Sequence, residues 1–297
     1  MHIIIDNRAF VYVNRTNIGF VLVRTYSVVH ERQAMKLVIS SNQVTPALDK
    51  RDWIAGLEKG LQMIEAFDDA HPRMTSSQAG ERCGMTRTAA RRYLLTLLHL
   101  GYVATDGKLF WLTPRMLRLG QAYIESARLP RIVQPFLQRV TAGTQEIAYV
   151  SVLDDEEIVY VARSGSNRNM NTGFVLGSRV QAQATSAGMV ILAMMELARQ
   201  EQWFANRTLK SYTSFTITDP DVLKRELSIV RSRGWAISEQ QLELTMRGVA
   251  VPLIDRNGDL VGAINITMPV GGEAAADAVK RVLPVLQETA RSLRNLI

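Results

Sequence analysis

The chain has 297 residues, 47% hydrophobic and 21% charged, with 35 Lys and Arg against 28 Asp and Glu for a formal net charge of +7. These are ordinary proportions for a globular protein long enough to build two cores. A single cysteine, Cys83, excludes an internal disulfide framework, and His2, His30, His71 and His99 lie too far apart for metal-ligand spacing. No apolar run reaches the roughly 18 residues of a spanning helix, so the composition points to a cytoplasmic protein with neither a cofactor nor a membrane partner.

Residues 1–34 alternate like strand, with Asn17-Ile18-Gly19 as a turn, and lack the charged start and cleavage site of a secretory signal. They read either as a short added hairpin or as an artefact of start-codon choice, with translation beginning at Met35. The second is preferred because nothing downstream needs them. Residues 36–52 read as a lead-in, so 1–52 form an N-terminal extension that is disordered or not native.

Residues 53–113 read as a compact helical unit. "GLEKGLQMIEAF" sets Leu57, Leu61, Ile64 and Phe67 on one side of a first helix, and "DDAHPRM" breaks it. "TSSQAGERCGM" gives a short second helix capped by Thr75 or Ser76 and closed by Gly84. In "TRTAARRYLLTLLHLGYV", about 100° per residue gathers Ala90, Tyr93, Leu94, Leu97 and Leu98 on one face. Thr88, Arg91, Arg92 and His99 project from the other, with Arg87 on the boundary, Thr86 as N-cap and Gly101 as stop. "GYVATDGKLFWLT" then gives two short strands around Asp106-Gly107, a strong hairpin signal. Helix, helix–turn–helix, hairpin is the order of a winged helix-turn-helix, whose third helix enters the major groove.

Charge supports that reading. Between Arg73 and Arg118 there are eight basic and two acidic side chains, a net of +6, whereas residues 128–297 hold 19 basic and 17 acidic, a net of +2. Local basicity beside a nearly neutral bulk is the footprint of a polyanion partner. Arginines on the exposed face can fork onto guanine or clamp phosphates, Thr88 can meet a phosphate or a thymine methyl, and Lys108 at the wing tip can reach the sugar-phosphate backbone.

"PRMLRLGQAYIES" predicts a linker helix over 114–127, ending at a boundary in "SARLPR". From 128 to 297 the pattern turns to mixed α and β. Strands are expected at 147–153, 158–163, 249–254 and 260–268, and helices at 186–198, 220–233 and 274–296. Asp219, Pro220 and Gly234 punctuate the middle helix. Hairpin-linked strands among helices predict an antiparallel sheet covered by helices, and the chain as a whole reads as α+β.

"GLEKGLQMIEAF … TSSQAGERCGMTRTAARRYLLTLLHLGYV … FWLTPRMLRLG", with "DEEIVYVARSG", "ATSAGMVILA" and "RSRGWAISEQQLELTMRGVAVPLIDRNGDLVGAINIT" further on, resembles the isocitrate-lyase-regulator (IclR) family of bacterial transcription factors over residues 53–297. "LTPRMLRLGQAYI" with "MRGVAVPL" is most similar to the branch controlling protocatechuate and p-hydroxybenzoate degradation. The resemblance implies a winged helix-turn-helix, a linker helix, and a GAF-like domain that binds a small organic acid and oligomerises. It implies a homodimer or homotetramer on double-stranded operator DNA, with symmetry setting the half-site spacing. By position it places Thr88, Arg91, Arg92 and Tyr93 on the recognition helix, and Ser76 and Ser77 at the opening of the bracing helix near the DNA backbone.

For the effector the resemblance implies Thr185, Ser186 and Gly188, in a turn whose N–H groups could hold a carboxylate. It also implies Glu239, Arg247, and Asn265 with Thr267, two apart on one strand face. The chain departs from the family at Gly248, where Cys or Ser is common, and at Met189, where a basic residue is common. An anionic ligand wants a bidentate arginine. Arg247 is the first candidate, with Arg163 and Arg168 behind it, and the competing reading of Arg247 is a salt bridge to Glu243 or Glu239.

Function follows as a ligand-responsive regulator of aromatic or related organic-acid catabolism. A constitutive DNA-binding protein whose second domain only oligomerises is the alternative. An enzyme is disfavoured because the sequence shows no nucleophile elbow, Cys–His pairing, metal cluster or phosphate loop.

Overall fold

The structure, a computed structural model, describes residues 49, 51–165, 173–205 and 207–297. The expectations for residues 1–34, for the Met35 start, for most of the lead-in and for Arg168 lie outside the described residues.

The described elements begin with α1 (Ala55–Glu65), α2 (Ser76–Arg82) and α3 (Arg87–His99), followed by the antiparallel strands β1 (Val103–Thr105) and β2 (Phe110–Leu112). Thr75 opens α2 with a reciprocal capping box: its Oγ1 accepts from the Gln78 N–H, and Gln78 Oε1 accepts from the Thr75 N–H. Thr86 caps α3 by accepting from the Ala89 N–H at 3.2 Å. Ala90, Leu94 and Leu97 close over Met63, Met74, Ala79, Val103 and Phe110 to form one small core. The stripe expected on the first helix is corrected. Met63 and Ala66 are buried and Ile64 and Phe67 lean on them, but Leu57 and Leu61 are 61% and 48% exposed. The cause is that α1 meets the core on the side of Met63, leaving the Leu57–Leu61 side uncovered.

A 3-10 turn at Pro114–Met116 leads into α4 (Leu117–Ser126), and extended Ala127 separates it from α5 (Arg128–Thr144). The helix α5 is not among the expected elements, and it starts inside "SARLPR", where the sequence suggests a boundary. Burial of Leu129, Val133, Leu137 and Val140 outweighs the hydrogen bond that Pro135 cannot donate. Next come β3 (Ile147–Asp154), β4 (Glu157–Ser164), β5 (Arg179–Gln181), α6 (Ser186–Met194), α7 (Leu197–Phe204), α8 (Pro220–Arg233), β6 (Ala236–Glu239), β7 (Met246–Ile254), β8 (Leu260–Pro269) and α9 (Ala275–Leu293). The helix expected over 186–198 is split. Arg231 of α8 donates its Nε to the Ala193 carbonyl at 2.6 Å and its Nη2 to the Met195 carbonyl, closing α6 where its carbonyls would otherwise be orphaned.

The six strands form one antiparallel sheet in the order β5-β4-β3-β8-β7-β6. Val249, Val251, Ile264 and Ile266 face α5 and α9. Tyr149, Ala250 and Ala263 face α6 and α8. Because side chains alternate along a strand, this division fixes which residues share the α6 face.

Candidate nucleic-acid interface and effector cavity

On α3 the apolar side is committed to the core and the basic side is free. Arg87, Thr88, Arg91 and Arg92 are exposed, and Tyr93 is half-buried at the margin. Of the local cations, Arg82 is used internally: its Nε donates to the Ala66 carbonyl and its Nη2 pairs with Asp68 at 2.6 Å, tying α2 to the end of α1. Arg73 stacks on Trp111 with its guanidinium 4.3 Å from the ring centroid. Arg87, Arg91, Arg92 and Lys108 make no side-chain hydrogen bond or ion pair among the described residues. Lys108 stands exposed at the tip of the β1–β2 hairpin. The Asp106 carboxylate accepts the Leu109 and Lys108 N–H groups there, which holds it below the usual carboxylate range. At the start of α2, Ser77 is exposed while Ser76 is turned inward. Four unpaired cations on one helix face and one wing tip form a surface fitted to a phosphate backbone and its groove.

A cavity opens between the α6 face of the six-stranded sheet and the start of α6. Tyr160 and Phe174 stack on its aromatic side, centroids 5.1 Å apart, with Tyr149 tilted behind at 4.6 Å from Tyr160. Burial above all, then Tyr149 and Glu243, raises the Tyr160 hydroxyl well above the usual tyrosine range, so it stays protonated as a donor. The polar side carries Thr185, Ser186, Asn265 and Thr267 of the expected set, together with Ser238, which the sequence reading missed. Asn265 is buried, accepts from Ser151 Oγ at 3.3 Å and donates to Thr267 Oγ1 at 3.4 Å.

The N–H groups expected to stand open before α6 are in part already taken. The Ser186 N–H donates to Ser238 Oγ at 3.0 Å and the Gly188 N–H to Thr185 Oγ1 at 3.1 Å. β6 is the cause, since its register puts Ser238 opposite Gly248. At Gly248 a Cβ would stand 2.6 Å from Ser186 Oγ and 3.2 Å from Ser238 Oγ. The missing side chain is what lets the two serines sit against the strand. Gly188 does not line the cavity. A Cβ there would fall 2.1 Å from the Ala182 carbonyl oxygen, so glycine serves the close approach of α6 to the preceding turn. Met189 is fully buried in the core beneath.

Arg247 borders the cavity from β7, but the register sends its side chain to the other face. It lies opposite Glu239 and Met268, on the α9 side, whereas Gly248 and Thr267 share the α6 side. Its Nη2 pairs with Glu239 Oε1 at 2.9 Å and its Nη1 donates to the Glu273 carbonyl at 3.1 Å. Of the two readings left open, the ion pair to Glu239 is the one the geometry forms. Glu239 itself does not line the cavity. Arg163 lines a separate groove with Arg131 and Gln134 beside α5. Sequence reasoning missed Tyr160, Phe174, Ser238 and Gln241. Ser238 and Gln241 lie on either side of Glu239 in "ISEQQ"; the β6 register turns Ser238 toward the cavity and the turn after β6 brings Gln241 to it.

Residues 56–107 match the IclR helix-turn-helix domain, and residues 121–295 match the bacterial transcriptional regulator IclR C-terminal family. The chain is 38% identical over 250 residues to the Pca operon regulatory protein of Acinetobacter baylyi, covering 83% of this chain and 90% of that one. It is 40% identical over 251 residues to the p-hydroxybenzoate hydroxylase transcriptional activator of the same organism, covering 83% and 93%. Among solved structures, the inducer-binding domain of a double mutant of the PobR transcription factor from Acinetobacter, in complex with 3-hydroxybenzoic acid, superposes with a TM-score of 0.55 at 34% identity. That match covers 58% of this chain and all of that one. Among the described residues no helix is long and apolar enough to cross a membrane. The chain belongs to the IclR family of bacterial transcriptional regulators.

Proposed function

We propose that this protein is an effector-responsive regulator of aromatic-acid catabolism, binding operator DNA through α3 and the wing and a single-ring aromatic acid in the cavity between the sheet and α6. The observation that carries the reading is that cavity. It has an aromatic stack on one side and hydroxyl and amide groups on the other, the mixed lining of a small-molecule site. The relatives' names, which specify a Pca operon and p-hydroxybenzoate hydroxylase, and the hydroxybenzoic acid bound to the PobR domain support the ligand class. Thr185, Ser186, Asn265 and Thr267 supply polar contacts, and Arg87, Thr88, Arg91, Arg92, Tyr93, Ser77 and Lys108 meet the DNA.

The cavity binds rather than converts its ligand. Thr185 and Ser238 are committed to helix capping, and no His, Cys or metal-ligand cluster among the described residues activates them. The protein works as a homodimer or homotetramer. Trp53, Ile54, Leu57 and Leu61 on and before α1, and Leu117, Leu119 and Tyr123 on α4, are exposed apolar side chains suited to a second copy.

Thermal melting against a panel of benzoates and aliphatic acids tests the ligand class. A ligand at 100 times its dissociation constant adds about 2.7 kcal/mol of stability, a readily measured shift. A shift with aromatic acids supports the reading, and a panel of aromatic acids with no shift overturns it.

A further inference from the structure

Resting on the single-ring acid reading above, we propose that Gln241 recognises a hydroxyl group on the effector, so the cavity selects hydroxylated aromatic acids over their unsubstituted and etherified analogues. Gln241 lines the cavity, and its Oε1 is a buried acceptor with no hydrogen-bond partner. A buried acceptor of that kind is costly unless something supplies a donor.

Several other polar groups of the lining have partners within the protein. Asn265 and Thr267 are bonded together, Ser238 accepts from the Ser186 N–H, and Thr185 Oγ1 accepts from the Gly188 N–H. Two buried polar side-chain atoms of lining residues have no partner, Gln241 Oε1 and Arg247 Nε, and Gln241 Oε1 is the acceptor of the two. It is also held in place. The hydroxyls of Thr213 and Thr216, from the loop ahead of α8, donate to the Gln240 and Gln241 carbonyls, each at 2.6 Å. The Gln240 N–H donates to the Met246 carbonyl and the Gln240 Nε2 to the Leu244 carbonyl, closing the turn between β6 and β7.

Charge on this turn points the same way. Glu243, two residues on, also lines the cavity from its exposed rim. A carboxylate brought against Gln241 Oε1 would meet an orphan acceptor beside the Glu243 charge, whereas a phenolic O–H supplies the donor that Oε1 lacks. The hydroxyl of the ligand therefore lies against Gln241.

The test is calorimetric titration of the full-length protein with 3- and 4-hydroxybenzoate, 3,4-dihydroxybenzoate, benzoate and 4-methoxybenzoate, repeated with Gln241→Leu. Wild-type protein is expected to bind at least one hydroxylated acid about 10-fold or more tightly than benzoate and 4-methoxybenzoate. In Gln241→Leu that hydroxyl preference collapses, with the hydroxylated acid falling to the level of benzoate. Equal wild-type affinity for hydroxylated, methoxylated and unsubstituted acids overturns the inference without any variant and leaves the aromatic-acid reading standing. A hydroxyl preference that survives in a folded Gln241→Leu overturns the assignment to Gln241. Failure of every ring acid to bind removes the ligand class itself, and with it both readings.

Discussion

Replacing Arg247 with alanine separates a structural ion pair from a ligand clamp. The guanidinium is 2% exposed and makes two charge-assisted contacts, to Glu239 Oε1 at 2.9 Å and to the Glu273 carbonyl at 3.1 Å. Hydrogen bonds to charged groups contribute about 1.5–3 kcal/mol each when buried. Glu239 is 35% exposed and rehydrates when its partner leaves, so that contact contributes no more than about 1 kcal/mol. The Glu273 contact, at the entry to α9, keeps most of its share. The expected loss is about 2–4 kcal/mol, which for a domain of this size lowers the melting temperature by roughly 5–15 °C. The assay is thermal unfolding without ligand, paired with acid titration well below the transition. Arg247→Ala should melt early and still bind the acid, and Glu239→Gln should show a smaller shift in the same direction. An Arg247→Ala protein that melts with the wild type but has lost the acid would refute the register argument and restore Arg247 as the carboxylate clamp.

Arg91→Ala and Arg92→Ala should each weaken operator binding by about 1–3 kcal/mol where the side chain reads a base, with specificity relaxed at one position. Unchanged anisotropy titrations for both would remove α3 from the groove. Lys108→Ala should weaken binding to all sequences alike and lower the slope of log affinity against log salt by about 1, and a sequence-selective effect would contradict a backbone contact at the wing. Gly248→Ser, although it restores a side chain common in the family, places atoms 2.6 Å from Ser186 Oγ. Acid affinity should fall by 10-fold or more as the start of α6 shifts, by the general cost of overpacking a tight site, about 1–3 kcal/mol, and an unaltered calorimetric affinity would show that the serines can give way.

Most of the helix-turn-helix was legible because its signals are local. Thr75 and Thr86 cap, Asp106-Gly107 turns, and the 3.6-residue spacing of Ala90, Leu94 and Leu97 marks the buried face. The spacing also set the arginines on the outside, where they stand. What failed on α1 was a choice between two apolar sides of an 11-residue helix, which only the position of Met63 decides. Beyond α5 the long strands and Asp219-capped α8 were readable, while β5 and β6, three and four residues long, carry too few alternations to detect. That gap propagated into the site. Without β6, nothing showed that Ser238 faces the cavity with Gly248 while Glu239 and Arg247 pair on the opposite face. The aromatic side was hidden for a related reason: Tyr149, Tyr160 and Phe174 are brought together by strand pairing and the chain's return, not by spacing along it.

An aromatic acid bound between the sheet and α6 is expected to alter DNA binding through α3 and the wing. The most direct test is the affinity of the full-length protein for a duplex enriched by that protein from random sequence, measured at fixed salt with and without saturating hydroxybenzoates. At least a 5-fold change in affinity is expected, the lower end of a usual allosteric coupling of about 1–3 kcal/mol. Identical affinity in the presence of an acid shown to bind would contradict it and leave a constitutive DNA-binding protein.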